Sequence, residues 1–211
     1  MVDCQVRPSD VTDVRIIDAM LAVPREAFVP PNLRALAYLD LDLDVSEGAG
    51  ARRFLIQPAV TARMLQAADI KDTDRVLVVG CATGYTAALV AKWVGQVTAT
   101  ESEPLLVAKA ESVLTELGLG KVAVRAAAAA EGDSEAGPYD VIVLNGATEI
   151  VPDRLYRQLS QGGRLVGVFA TTKPPRAAIM TRSHDEVGHR ALFDAVSPVL
   201  PGLERVPAFV F

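Results

Sequence analysis

The segment RVLVVGCATGY, residues 75–85, joins an apolar run to a helical pattern through a turn with two glycines. Its first half is rich in valine and leucine, which is typical of a strand buried on both faces of a parallel sheet. Gly80 ends this strand and Gly84 opens the helix, the position at which doubly wound sheets bind nucleotides. The segment therefore predicts an α/β domain with a ligand site at the carboxyl end of this strand.

Strand and helix patterns alternate from Arg75 to about Phe169. Strands are predicted at RVLVVG, QVTATES, KVAVRA, YDVIVLNGA and RLVGVFA, and helices at CATGYTAALVAKWVG, EPLLVAKAESVLTELGLG and VPDRLYRQLSQGG. This alternation predicts a doubly wound, mostly parallel sheet. Two closely spaced late strands, AAIMTRS and HRALFDAV, predict an antiparallel edge hairpin near the C-terminus.

The N-terminal third has a different pattern and predicts a helical extension. Its first helix lies within residues 11–28, ends before Pro24 and has Ser9 or Asp10 available as N-cap. Residues 29–53 carry the acidic alternation LDLDLDV and predict irregular chain, and a second helix runs from Pro58 to Ala68. We expect an extension over residues 1–70 and a main unit over residues 71–211, packed as one compact body.

Composition and charge exclude several classes of protein. The chain has 211 residues, of which 50% are hydrophobic and 22% charged, so it has enough apolar material to fold. A net charge of -5 argues against a nucleic-acid partner. Cys4, in an N-terminus that we expect to be mobile, and Cys81 are too few for a disulfide framework. We found no membrane span or secretory signal, so the expected compartment is the cytoplasm.

Glu101 ends the second predicted strand. Adjacent parallel strands point their carboxyl ends at one crevice, so this carboxylate is placed to accept hydrogen bonds from two ribose hydroxyls. The alternative is a tight turn followed by a surface glutamate. A dinucleotide site would need glycines at positions 80, 82 and 85, but Ala82 and Tyr85 occupy two of them, which argues against NAD or FAD.

The turn G-x-A-x-G-Y resembles the G-x-G-x-G turn of S-adenosylmethionine-dependent methyltransferases. Over nearly its whole length the chain resembles the protein-L-isoaspartate O-methyltransferases. The similar segments are RIIDAMLAVPREAFVP, AYLDLDLDV, LIQPAVTARML, VLVVGCATGY, TATESEPLLVAKA and PYDVIVLNGATEIVPDRLYRQLSQGGRLV. The resemblance implies a Rossmann-like methyltransferase fold and methyl transfer from S-adenosylmethionine to an isoaspartyl carboxylate in damaged protein.

The resemblance also implies site residues. The catalytic acceptor segment is Ile56, Gln57 and Pro58, and the cofactor-binding residues are Gly80, Cys81, Ala82, Gly84, Tyr85, Glu101, Ser102, Ala128 and Asn145. The implied partner is a peptide or protein with an isoaspartyl residue, without nucleic acid, membrane or metal. The oligomeric state stays open, with a homodimer as one candidate.

The chain departs from the family pattern at four positions. Ile56 stands where the family has a serine, whose implied role is to orient the acceptor carboxylate, and Val78 stands where the family has an acid. Ala82 replaces the middle glycine of the turn. The position at which the family has an acid that contacts the adenine amino group falls in AAAAAEGD, at Ala128 when counted back from PYD, or at Asp133 if the loop is shorter. These departures predict weak isoaspartyl methylation and leave two alternatives, another acceptor or a regulatory module that only binds the cofactor.

Histidine and cysteine are not expected to act in catalysis. His184 and His189 lie near the tail, and Cys81 has no histidine close to it in sequence. A carboxylate is already a nucleophile at neutral pH, so methylating it needs positioning and desolvation rather than a strong base.

Overall fold

A computed structural model describes residues 1–184 and 186–206 and contains a seven-stranded sheet. Its strands are β3 (Arg75–Val79), β4 (Gln96–Glu101), β5 (Ala123–Ala126), β6 (Tyr139–Thr148), β7 (Leu159–Phe169), β8 (Arg176–Ser183) and β9 (Glu186–Asp194), and a separate hairpin joins β1 (Leu43–Asp44) to β2 (Phe54–Leu55). The spatial order is β5-β4-β3-β6-β7-β8-β9. The first five of these strands are parallel and the last two antiparallel, which confirms the predicted sheet and edge hairpin.

Strand β3 lies in the interior of the sheet, paired with β4 on one side and β6 on the other. Its residues from Val76 to Val79 are fully buried, as the unbroken apolar run predicts. The chain passes from β3 to β4 and β5 on one side and then crosses to β6 on the other. The carboxyl ends of β3 and β6 therefore flank the topological switch point, where open α/β sheets bind ligands.

The helices are α1 (Val14–Ala22), α2 (Pro58–Ala68), α3 (Tyr85–Val90), α4 (Pro104–Glu116) and α5 (Asp153–Tyr156). Helix α1 ends before Pro24 as expected, but its N-cap is Asp13 rather than Ser9 or Asp10, because the Asp13 carboxylate accepts from the Arg15 amide. Helix α2 has the predicted bounds, with Pro58 in its first turn.

The predicted helix VPDRLYRQLSQGG is wrong over most of its length. Only its four residues of α5 are helical, and strand β7 begins at Leu159. Leu159 pairs with Tyr139, and the register then shifts. A side chain at Gly163 would lie 2.9 Å from the Tyr139 carbonyl oxygen, so this glycine permits close approach of two backbones rather than ending a helix.

The N-terminus is also more ordered than expected. Residues 2–9 form two short helical turns, and the side chains of Val2 and Val6 are buried. Within residues 29–53 a 3-10 turn spans Pro31–Leu36, before β1. The acidic alternation therefore belongs partly to a small hairpin rather than to irregular chain.

The extension and the sheet share one apolar core. One cluster joins side chains of α1 and α2 to Val76 and Val78, while the alternate residues Leu77 and Val79 pack with Leu155 on the other face. The division near residue 70 stays a prediction, and the expected end of the main unit at residue 211 lies outside the described residues. In the described part of the chain, no helix is both long and apolar enough to cross a membrane.

Candidate active site

The glycine turn lies at the carboxyl end of β3, at the switch point. Gly80 and Gly84 have φ values of +67° and +98°, in the left-handed region that favours glycine. Ala82 also has a positive φ, +51°, which costs about 1–2 kcal/mol for a residue with a Cβ atom. Asn145, at 5% exposure, donates from Nδ2 to the Gly80 carbonyl oxygen at 3.0 Å and so ties the end of β6 to the turn.

Glu101 is fully buried and anchored by backbone amides. Its Oε2 accepts from the Ala82 amide at 2.7 Å, and its Oε1 accepts from the amides of Ser102 at 2.8 Å and Glu103 at 3.2 Å. These contacts fix the carboxylate beside the glycine turn, at the strand end that the sequence predicts.

The same carboxylate is paired with Arg53, which the sequence analysis did not single out. Arg53 Nε lies 3.0 Å from Glu101 Oε1, and Nη2 lies 2.9 Å from Oε2 and 2.7 Å from the Gly80 carbonyl oxygen. The two side chains are 3% and 0% exposed. In this conformation a guanidinium is the partner of Glu101, and the expectation that this carboxylate binds a ribose stays a prediction.

A second side chain covers the turn from the C-terminal segment. Leu200 Cδ2 lies 2.6 Å from the position that a Cβ atom would take at Gly80, and 2.9 Å from that at Gly146. The Leu200 amide donates to the Ala147 carbonyl oxygen at 2.9 Å, which holds the segment along β6. The two glycines thus provide the space that Leu200 fills.

In the described conformation, donors of this protein already saturate the Glu101 carboxylate. A carboxylate offers about four acceptor sites, whereas two nitrogens of Arg53, three backbone amides and the Ser102 hydroxyl all donate to Glu101. Leu200 occupies the space over Gly80.

The predicted acceptor segment, residues 56–58, lies next to the turn. Ile56 is 2% exposed, and its carbonyl oxygen accepts from Arg25 Nη2 at 2.8 Å. The Arg25 guanidinium carbon lies 4.6 Å from the centroid of the Tyr85 ring, at the start of α3. Burial lowers the pKa of Arg25, but an arginine side chain stays protonated at neutral pH. Arg25 thus holds the acceptor segment and the glycine turn together.

The acidic alternation anchors the same segment from outside. Asp42 accepts from the Gln57 amide at 3.0 Å, and Asp40 accepts from the Ala59 amide at 3.1 Å. Both carboxylates lie at the N-terminus of α2, where the free amides and the helix dipole favour negative charge. Burial raises the pKa of Asp42 above its usual range.

The remaining predicted residues are Cys81 and Ser102 at the turn and its strand, and Ala128 or Asp133 for the adenine. Cys81 is buried in the turn, and burial raises the pKa of its thiol, so it lacks the character of a nucleophile. Ser102 donates its amide to Glu101 as described. Ala128 follows the carboxyl end of β5 and is exposed, whereas the Asp133 amide donates to the Gln158 side chain, at the opposite, amino end of β6. Of the two residues considered for the adenine, Ala128 therefore lies at the edge that carries Glu101.

Arg53 and Arg25 are the site residues that sequence reasoning missed. Arg25 belongs to the PREAFVP segment that carries the family resemblance, and Arg53 is the second of two adjacent arginines just before LIQP. The available signal was the pair Arg52 and Arg53 in a loop of otherwise small and polar residues. This pair did not indicate that the Arg53 side chain reaches a buried carboxylate.

Relatives and solved structures agree on what this chain is similar to. A sequence model of the family described as protein-L-isoaspartate(D-aspartate) O-methyltransferase matches residues 2–190. The protein-L-isoaspartate O-methyltransferase of Gloeobacter violaceus is 38% identical over 184 residues, 87% of this chain and 88% of that one. Protein-L-isoaspartate O-methyltransferase 2 of Anaeromyxobacter sp. strain Fw109-5 is 42% identical over 166 residues, 79% of this chain and 67% of that one.

Two solved structures share the fold. A protein-L-isoaspartate O-methyltransferase superposes with a TM-score of 0.82 at 24% identity, covering 94% of this chain, and this chain spans 64% of that one. A putative enzyme of the same name from Plasmodium falciparum, in complex with S-adenosyl-L-homocysteine, superposes with a TM-score of 0.76 at 18% identity over 92% of this chain and 93% of that one. Because the family's sequence pattern covers residues 2–190 and its members are similar over most of both chains, this chain belongs to the protein-L-isoaspartate(D-aspartate) O-methyltransferase family, whose members use S-adenosylmethionine.

Proposed function

We propose that this chain transfers a methyl group from S-adenosylmethionine to the free carboxylate of an isoaspartyl residue in damaged protein. One structural observation supports this beyond family membership. Arg25 contacts both the Ile56 carbonyl and the Tyr85 ring, so the acceptor segment lies against the turn that the family uses for its cofactor. Methyl donor and carboxylate need such an adjacent pair of sites.

The chemistry of the site is consistent with a carboxylate acceptor. An isoaspartyl carboxylate is ionised at neutral pH, so it needs no general base, and rate comes from alignment and exclusion of water. Ile56 and Pro58 are buried, and so is the Cys81 thiol with its raised pKa. His189 packs against Phe169 in the antiparallel part of the sheet and takes no part in this proposal.

The proposed partners are proteins and peptides rather than nucleic acid or membranes, in keeping with the net charge of -5. We propose the cytoplasm as the compartment, supported by Cys4 and Cys81, which are both free thiols. Membership of an enzyme family does not favour the alternative of a regulatory module without turnover.

The test is a labelled-methyl assay on two peptides of the same sequence, one with an isoaspartyl and one with a normal aspartyl residue. We expect label on the isoaspartyl peptide alone, as a methyl ester that is released by mild base. Equal labelling of both peptides, or none at saturating S-adenosylmethionine, would contradict the proposal. Label on proteins of a lysate but not on the isoaspartyl peptide would indicate a different acceptor.

A further inference from the structure

We infer that Arg53 is an internal competitor of the cofactor: its guanidinium occupies the ribose-binding face of Glu101, and the nucleoside binds only after it leaves. The inference rests on the proposed function for the identity of the ligand. Arg53 would thus join the site already described as a residue that determines its affinity for the cofactor.

The contact that the cofactor must replace is a strong one. Arg53 makes a two-nitrogen contact to Glu101 and a third hydrogen bond to the Gly80 carbonyl oxygen, all at 2.7–3.0 Å for the closest atom pairs. A ribose offers two neutral hydroxyl donors, whereas a guanidinium offers charged donors in a planar fork. Only the molecules in which Arg53 has left the carboxylate can bind the nucleoside, so the apparent affinity falls in proportion to that fraction.

The Glu101 carboxylate is held in position independently of Arg53. The amides of Ala82, Ser102 and Glu103 keep the Glu101 carboxylate in place without Arg53. The Gly80 carbonyl oxygen also keeps a partner, because Asn145 Nδ2 donates to it at 3.0 Å. Removing the guanidinium therefore takes two donor nitrogens away from Glu101 and leaves the turn otherwise satisfied.

Arg53 can leave Glu101 by rotation of its side chain alone. Its amide donates to Ser46 Oγ at 2.8 Å, and its carbonyl oxygen accepts from the Val45 amide at 2.9 Å, so its backbone is fixed beside the β1–β2 hairpin. The side chain, with its four rotatable bonds, has to turn away from Glu101 while the backbone stays in place. This motion needs no rearrangement of the sheet.

The experiment is calorimetric titration of S-adenosylhomocysteine into the full chain and two single variants. Arg53→Gln removes the cation and keeps a polar side chain, and Arg52→Gln is the matched control, because Arg52 is 75% exposed and pairs with Asp44 on the surface. We expect the dissociation constant to fall by about tenfold to a hundredfold in Arg53→Gln. The control is expected to bind like the native chain.

A thermal melt without ligand separates this effect from a structural one. Without ligand, Arg53→Gln is expected to melt at a lower temperature than the native chain, because Glu101 loses its cation. When S-adenosylhomocysteine is added, the melting temperature of Arg53→Gln should rise by more than that of the native chain. Lower stability with unchanged or weaker binding would overturn the inference. Weaker binding in particular would mean that Arg53 belongs to the cofactor's own contacts.

A second variant covers the case in which Arg53→Gln does not fold. Arg53→Lys keeps a cation beside Glu101 but loses the fork, so we expect tighter binding than native; unchanged affinity would overturn the inference. If the native chain binds S-adenosylhomocysteine as tightly as both variants, the inference alone fails and the proposed function stands. If none of the chains binds it, the proposed function fails as well.

Discussion

At the scale of single residues, Ile56 is the side chain whose chemistry bears most directly on the acceptor. We expect Ile56→Ser to raise turnover of an isoaspartyl peptide by about tenfold or more at saturating cofactor, since a hydrogen bond to a carboxylate contributes about 1.5–3 kcal/mol. The variant should lose about 2–5 kcal/mol of stability with its buried methyl groups, so the assay belongs at low temperature.

The control for this change is Leu55→Ser, because Leu55 is equally buried, at 2% exposure, on the adjoining strand β2. It should lose stability without any gain in turnover. Rapid turnover by the native chain, with no increase in Ile56→Ser, would contradict the argument and would point to Thr61 or a backbone amide near Gln57 as the anchor of the acceptor.

Asp13 makes stability depend on pH. Its hydrogen bonds with the Arg15 side chain hold the pKa of this carboxyl below the usual range, so the folded protein binds fewer protons here than the unfolded chain. The stabilisation is therefore complete above about pH 4 and is lost as the pH falls through the lowered folded value. Asp13→Ala should cost about 1–2 kcal/mol at pH 7, because it also removes the cap of α1.

Urea unfolding at pH 7 and at successively lower pH measures this effect. The difference between native and Asp13→Ala should shrink as the pH falls below about 4. Asp18→Ala is the control, because Asp18 lies exposed on the same helix, and its stability should follow the native pH profile. A pH-independent difference for Asp13→Ala would mean that the ion pair contributes nothing.

At the scale of elements, strand β3 tolerates no charge. Val78 is fully buried and lies between Ala99 of β4 and Val143 of β6. An unpaired ammonium there costs several kcal/mol, a large part of the roughly 5–15 kcal/mol that keeps a domain folded. We expect Val78→Lys to leave little protein in the soluble fraction after expression.

The edge strand provides the comparison for this prediction. Val187 on β9 is 42% exposed, so Val187→Lys keeps its ammonium in water and should express like the native chain. Equal soluble yields for the two lysine variants would show that the carboxyl half of β3 is accessible to water.

Elements with a strong local signal were predictable, and elements set by contacts between distant segments were not. The unbroken apolar run fixed the place of β3, and Pro58 marked the start of α2, because both signals are local. Strand β7 was mistaken for helix because the pairing of Leu159 with Tyr139 decides that segment. The turn and the place of Glu101 at the end of its strand were predictable for the first reason, and Arg53 was missed for the second, since its partner lies 48 positions along the chain.

At the scale of the whole molecule, the N-terminal extension and the sheet should unfold together, because α1, α2 and β3 contribute to one core cluster. Two probes test this. Trp93 is the chain's one tryptophan and packs at the sheet, and Cys4 is exposed while Cys81 is buried, so a thiol dye labels Cys4 selectively. Coincident urea midpoints for both probes are expected, and separate midpoints would mean two independently folding units.

The two edges of the sheet affect how the protein behaves at high concentration. Outer strands present unpaired amides and carbonyls to other molecules, and proteins limit this with short edges and charged side chains. Strand β5 has four residues, with Arg125 exposed, and β9 carries the exposed charges of Arg190 and Asp194. A second molecule that added a strand at either edge would have to desolvate these charges. The charged edges therefore oppose growth of the sheet into fibres, and no helix is needed to cover them.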